Sequence, residues 1–128
     1  MLKKKIAAAL AAAMAVTAIT ATSAMAGNTT NFSFSIASPG MGMMGYQDSS
    51  IGAKLTVGDA IVQINSFSGS SILYYETSAG AQATTTRNYA GTGRIGLQYL
   101  SGYGGNFTDY RLRGGTTGAA TASGYFIP

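Results

Sequence analysis

The sequence predicts an all-β protein: a small antiparallel β-sandwich of seven or eight short strands, placed behind a cleaved N-terminal export signal. Three observations lead there. Beyond position 27 the apolar residues recur at period two, the strand period, and not at the 3.6 of a helix. Clusters of Gly, Ser and Thr interrupt these runs at intervals of about ten residues, the rhythm of a sandwich or small barrel. Charge is sparse, at 9% of all residues, so little of the chain is suited to solvated helix faces.

The N-terminus follows a different logic. Lys3, Lys4 and Lys5 make a positive start, Ile6 to Ile19 an apolar core, and Ala24-Met25-Ala26 a small-x-small exit before Gly27. This is the pattern of a secretory signal, with cleavage expected between Ala26 and Gly27. A membrane span would need roughly 20 apolar residues, more than this core supplies. Without Cys no lipoprotein anchor is expected. The expected organisation is therefore a signal peptide, 1–26, and one secreted domain, 27–128.

Removing the signal changes the charge. The formal +4 of the whole chain includes its three lysines. Lys54, Arg87, Arg94, Arg111 and Arg113 then stand against Asp48, Asp59, Glu76 and Asp109, a nearly neutral set. Five cations do not make a phosphate-neutralising surface, so nucleic acid is not an expected partner. The lack of Cys also removes disulfides, thiolate metal sites and thiol chemistry.

Taken in order, Asn31 to Ile36 reads as the first strand, with Phe32, Phe34 and Ile36 on one face. Ser38-Pro39-Gly40 ends it, and the glycines between Met41 and Ser49 predict a loop. Ile51, Ala53, Leu55 and Val57 alternate as a second strand, and Gly58-Asp59 suits a two-residue hairpin turn. Ala60 to Phe67 is the return strand, with Val62 and Ile64 inward. Ser71 to Thr77 follows, centred on Leu73 and Tyr75, then a loop over Ser78 to Ala83. Thr84 to Tyr89 and Arg94 to Leu100 are further strands, the latter aligning Ile95, Leu97 and Tyr99. After a turn-rich Ser101 to Asn106, Phe107 to Arg113 alternates, Gly114 to Gly118 breaks it, and Ala120 to Ile127 closes the domain. A transmembrane β-barrel would need about eight strands of 9–11 residues, longer than these.

Catalytic chemistry is thinly supplied. With no His, the usual base near neutral pH is missing. Lys54 alternates with apolar neighbours and is expected to point to solvent. Asp59 is accounted for by a turn, Asp48 by a loop, and Glu76 and Asp109 by strand ends or outer faces. No enzyme activity and no cofactor are expected. Two G-x-G-x-x-G matches, at Gly40–Gly45 and Gly91–Gly96, lack the following helix that binds pyrophosphate, so no nucleotide is expected either. Met41, Met43 and Met44 could offer thioethers to Cu(I), but a flexible apolar loop is the plainer reading. Three Asn-x-Ser/Thr sequons, at Asn28, Asn31 and Asn106, are incidental in a chain with a bacterial-looking leader.

Binding residues are better represented. Eight tyrosines are many for this length, and adjacent Tyr74 and Tyr75 must point to opposite faces of a strand. Exposed tyrosine suits binding, although pairing across strands uses it equally well. Arg111 and Arg113, two residues apart, share a strand face about 7 Å apart. Together with Arg94 they are the candidate anionic-partner surface; a solvated, edge-protecting face is the alternative. Sparse charge also leaves self-association through strand edges open.

The terminal motifs carry a resemblance. Asn31-Phe32-Ser33-Phe34-Ser35 after the signal, Tyr110-Arg111-Leu112-Arg113, and the closing Ser123-Gly124-Tyr125-Phe126 resemble small secreted β-proteins of Gram-positive bacteria. That group is similar in plan to lactococcin-972-type bacteriocins, secreted β-sandwiches that act at the cell wall. The chain departs from the group's usual Trp-x-Pro ending, finishing instead at Phe126-Ile127-Pro128. The resemblance implies a secreted, non-enzymatic protein acting through its surface on a cell-wall polymer, a membrane surface or other cells. A carbohydrate-binding module or small carbohydrate-active enzyme, and a self-assembling surface protein, are the alternative expectations.

Overall fold

The computed structural model describes residues 29–106 and 108–128. The expected signal peptide and the Ala26–Gly27 cleavage point lie outside the described residues, as do Asn28 and Phe107. The described chain forms nine strands: β1 (Thr30–Ile36), β2 (Gly45–Ala53), β3 (Ala60–Gly69), β4 (Ile72–Ser78), β5 (Ala81–Gln82), β6 (Arg87–Tyr89), β7 (Gly93–Leu97), β8 (Asp109–Thr116) and β9 (Ala120–Ile127). They build two antiparallel sheets, which we call A and B, and no helix occurs among the described residues. Sheet A has the order β1-β9-β3-β7, and sheet B the order β2-β8-β4-β5, with β6 also pairing β4. This is the small antiparallel sandwich expected.

The chain changes sheet at almost every connection. β1, β3, β7 and β9 lie in sheet A, while the strands between them lie in sheet B. Gly58-Asp59 is consequently not a hairpin turn: the loop there carries the chain from sheet B across to sheet A. The tight turn that does join neighbours is Ala79-Gly80 between β4 and β5, with φ of 51° and 86°. Positive φ at both central residues is the type I′ requirement, since it matches the strand twist. β5 and β6 pair with opposite ends of β4 along one edge. Between them, Thr84 bridges Tyr99 and Leu100 N–H donates to Ala83 O, tying sheet B to the chain beyond β7.

The core lies between the sheets. Phe32, Phe34 and Ile36 from β1 meet Val62 and Ile64, Ile72 and Tyr74, Ile95 and Leu97, Leu112, and Phe126. Each large apolar side chain contributes about 1.5–3 kcal/mol by leaving water. Phe34 lies against Gly114 of β8, where a Cβ would stand 2.7 Å from its ring. Gly114 and Gly115 therefore do not break the strand. They are its thin section, and the break begins only after Thr116.

Four other expectations change. The Met41–Ser49 loop is shorter than predicted, since β2 begins at Gly45. Within β2, Ser49 and Ser50 together face the single residue Leu112, a β-bulge. Ser49 Oγ accepts the Leu112 N–H at 2.9 Å. The bulge shifts the alternation, so Ile51 and Ala53 are exposed while Gly52 and Lys54 are buried. In β4 the inward face is Ile72, Tyr74 and Glu76, with Leu73 and Tyr75 half-buried outside. The Thr84–Tyr89 strand is reduced to Arg87–Tyr89, because Thr84 turns inward and is buried.

Two substitutions test this description. Gly114→Ala should displace the Phe34 ring and destabilise the fold by about 1–3 kcal/mol, the usual cost of overpacking, read as a lower urea midpoint. Ala79→Asn should stabilise the fold by about 0.5–1 kcal/mol, read as a higher midpoint, because Asn tolerates the left-handed conformation that Ala holds under strain.

Candidate functional site

Two constellations stand out, one on the surface and one sealed. The first is the outer face of sheet B. Cross-strand register sets Asp48, Arg113 and Tyr75 in one row, Tyr46 and Gly115 in the next, and Ile51, Arg111 and Thr77 on the other side. Gly115 leaves the space that the Tyr46 ring covers: a Cβ there would stand 2.7 Å from Tyr46 Cε1. Tyr46 remains half-exposed, with the Arg113 guanidinium 5.7 Å from its ring centroid. That spacing suits a cation–π contact.

Arg113 is committed. Its Nε donates to Asp48 Oδ1 at 2.7 Å and its Nη2 to Oδ2 at 3.0 Å, a two-point fork. The hydrogen bond from Arg113 holds the Asp48 carboxyl below its ordinary range, against a smaller opposing effect of burial. In turn Asp48, and secondarily Tyr75, keep Arg113 protonated. Asp48 thus contributes stability above its ordinary value of 3.8, and that contribution is lost as pH falls through its lower folded value. For a pair this exposed the contribution is about 0.2–1 kcal/mol.

Arg111 differs. Its Nη1 donates to Ser49 O at 3.0 Å, and no carboxylate forms a salt bridge with it among the described residues. It lines a pocket of about 230 Å³ with Ile51, Thr77, Ala79, Gly80, Asp109 and Tyr110. Arg94, the third cation of the expected surface, lies elsewhere. It projects from the outer face of sheet A, where Nε donates to Gln63 Oε1 and Nη2 to the Tyr125 hydroxyl, both at 3.1 Å. The fold brings Arg111 and Arg113 together and places Arg94 behind the other sheet.

The sealed constellation corrects two sequence expectations. Glu76 is not on an outer face, and Lys54 does not point to solvent: they are 0% and 1% exposed. Tyr99 donates its hydroxyl proton to Glu76 Oε1 at 2.7 Å. Lys54 Nζ donates to Gly58 O at 2.8 Å and lies 4.6 Å from the Tyr99 ring centroid. Tyr110 packs on Tyr99 at 5.1 Å, and Thr84 Oγ1 accepts the Glu76 N–H. Glu76 Oε2 has no hydrogen-bond partner among the described residues. Burial pushes the Glu76 carboxyl up to about 7, although Tyr99 and Lys54 pull it down. Desolvation lowers Lys54, opposed by the charges of Glu76 and Asp59. The Tyr99 hydroxyl is raised, first by burial and then by Glu76. The sequence did hold a signal for Glu76: it falls in phase with Ile72 and Tyr74. For Lys54 there was none, because the Ser49–Ser50 bulge sets its direction.

The three methionines of the loop differ in exposure. Met41 is almost wholly exposed and Met43 largely so, while Met44 is half-buried against the space over Gly115. Among the described residues no three of His, Cys, Asp and Glu are grouped to hold a metal ion. Compared with protein-family models, curated proteins and solved structures, the chain has no match.

Glu76 yields a signed pH dependence. In the fold it keeps its proton to about pH 7, whereas unfolded it loses the proton near 4.5. The folded state binds the extra proton between these values, so the Glu76 contribution to stability is greatest below 4.5, declines toward 7 and is flat above. The decline is on the order of 3 kcal/mol. Glu76→Gln should remove it: urea midpoints at pH about 5 and about 8 should converge relative to wild type. An unchanged difference between the two pH values would place the titration elsewhere.

Proposed function

We propose that the protein is an exported, non-enzymatic β-sandwich that binds an anionic polymer of the cell envelope through the outer face of sheet B. One observation carries this reading: Arg111 stands on an aromatic and charged face, beside a pocket, and forms no salt bridge with a carboxylate among the described residues. Arg113 is neutralised by Asp48 and serves to hold Tyr46 and the face in shape. Guanidinium donors in a fixed fork suit phosphate and carboxylate groups. Glu76, whose carboxyl burial pushes up to about 7, belongs to the interior cluster and not to this face.

The same contact made on the wall of another cell is the bacteriocin-like form of this reading. A neutral-sugar reading is favoured by the half-exposed Tyr46 ring. It differs in requiring Tyr46 and not Arg111.

Co-sedimentation with isolated cell walls separates these readings. Arg111→Ala should weaken binding about tenfold or more, the usual cost of a charged hydrogen bond. Arg94→Ala, on the other sheet, should bind as wild type, and added salt should weaken every charged contact. Stripping phosphate polymers from the wall should abolish binding. Wild-type binding by Arg111→Ala, or by stripped walls, overturns the proposal. Inhibition of related strains that disappears in Arg111→Ala identifies the antimicrobial form.

A further inference from the structure

The loop between β1 and β2 holds an apolar side chain where packing does not account for it. Gly40, Met41 and Gly42 are left-handed in succession, with φ of 77°, 57° and 71°. Glycine adopts this backbone freely, whereas a residue with a Cβ is strained in it. Met41 nevertheless occupies the centre of the three and is 97% exposed, so no contact within the fold offsets the strain. The Met43 N–H closes the turn on Gly40 O at 3.1 Å, and the Met43 side chain is itself 60% exposed.

The turn rests on a firm base. Ser38 Oγ accepts the Gly40 N–H at 3.3 Å and donates to Thr117 O at 3.2 Å, which joins the loop to the β8–β9 connection. Ser70 N–H donates to Ala119 O at 2.9 Å, which adds the β3–β4 connection. These three connections, 37–44, 70–71 and 117–119, share one end of the sandwich and contain no charged residue. The first charges along the strands are Arg87 and Arg113, opposite Tyr74 and Tyr75. They lie two and three residues into β4, about 7–10 Å behind its start. The other end differs: exposed Leu55 and Val57 share it with exposed Asp59 and with Asp109, the partner of Ala53.

We propose that the methionine end inserts into the interface of a lipid bilayer, with Met41 and Met43 reaching past neutral headgroups. Charge decides between the two ends and identifies the occupant. An end without charge leaves water at little cost, whereas one bearing carboxylates does not. A single tip carried between glycines suits a medium that opens around it, as fluid lipid does; a protein would have to present a matching cavity. Unbranched methionine packs against mobile acyl chains without requiring a fixed shape. The exposed hydroxyls of Ser38, Ser70, Ser71 and Thr117 then lie at the depth of the headgroups. Loop backbone is not tolerated in the hydrocarbon itself, so insertion stops at the interface, about 5–10 Å deep. With no cation at the tip the contact owes nothing to anionic lipid, and two side chains make it weak and reversible. This inference stands apart from polymer binding, which uses Arg111 on the outer face of sheet B.

Flotation with phosphatidylcholine vesicles, using protein purified from its host, provides the test. Wild type should float at high lipid concentration, and added salt should leave the bound fraction unchanged. Met41→Asn should lower the partition coefficient about tenfold or more, the usual effect of burying one such side chain. It spares the fold, because Asn accepts the left-handed backbone, and it should bind cell walls as wild type does. The chain has no Trp, so Met41→Trp supplies a single fluorescent reporter. Its emission should shift to the blue with vesicles and be quenched by brominated acyl chains. Val57→Trp, 84% exposed at the other end, should respond to neither. The proposal fails if wild type does not float, if flotation is indifferent to Met41→Asn, or if the reporter at 57 responds as strongly as that at 41. Binding that appears only with anionic lipid, or a blue shift obtained only with an added protein, overturns it equally.

Discussion

The Ser49 hydroxyl accepting the Leu112 amide is a small interaction on which much of the molecule depends. It fills the gap left in the ladder where two residues of β2 oppose one of β8. Upstream of this point Tyr46 and Asp48 face outward, and Asp48 closes its fork on Arg113. Downstream the phase is shifted, and Lys54 enters the interior over Tyr99. Without the extra residue the alternation would continue unbroken, placing Lys54 in water and Ile51 in the core. The exposed face and the sealed cluster are thus set by a single irregularity.

The sealed cluster shows how a cysteine-free domain of this size carries interior charge. An isolated buried ion is costly, so the group either neutralises or acquires partners. Glu76 does part of each: its carboxyl is held protonated to about pH 7, and one oxygen accepts the Tyr99 hydroxyl hydrogen bond while the other has no partner among the described residues. Lys54 gains a carbonyl and an aromatic face. Apolar replacement of both charges together would cost the fold little, whereas removing one alone would leave the other buried without it. What the arrangement does provide is a tie between the end of β2, the middle of β4 and the chain beyond β7, which are distant in sequence.

The two outer faces have separate characters. Sheet B presents guanidinium, carboxylate and phenol groups around a shallow pocket; sheet A presents hydroxyl rows ending at Arg94 on its far edge. Each is consistent with its neighbours. Rows of Ser and Thr cover β1, β9 and β3 with hardly any charge, while Arg113 and Asp48 join β8 to β2 in the opposite sheet. A domain with so few charges can place them with effect only where each has a defined neighbour.

The sequence by itself determined the fold class and much of the core. Period-two patterning over Phe32, Phe34 and Ile36, Val62 and Ile64, and Ile95 and Leu97 specifies which side chains leave water, because a strand's alternate residues have no other faces to choose from. It also placed Arg111 and Arg113 on one face. Tertiary structure decided what periodicity cannot encode. Gly58-Asp59 has hairpin chemistry yet crosses between sheets, since a turn reports a reversal and not which strand receives the chain. Gly114 and Gly115 look like breakers until Phe34 and Tyr46 lie on them. Glu76 and Lys54 are buried because of phase and a bulge, and Arg94 is parted from the other arginines by the full thickness of the sandwich. Local pattern selects a residue's side of its own strand; only the pairing of distant strands settles what lies on that side.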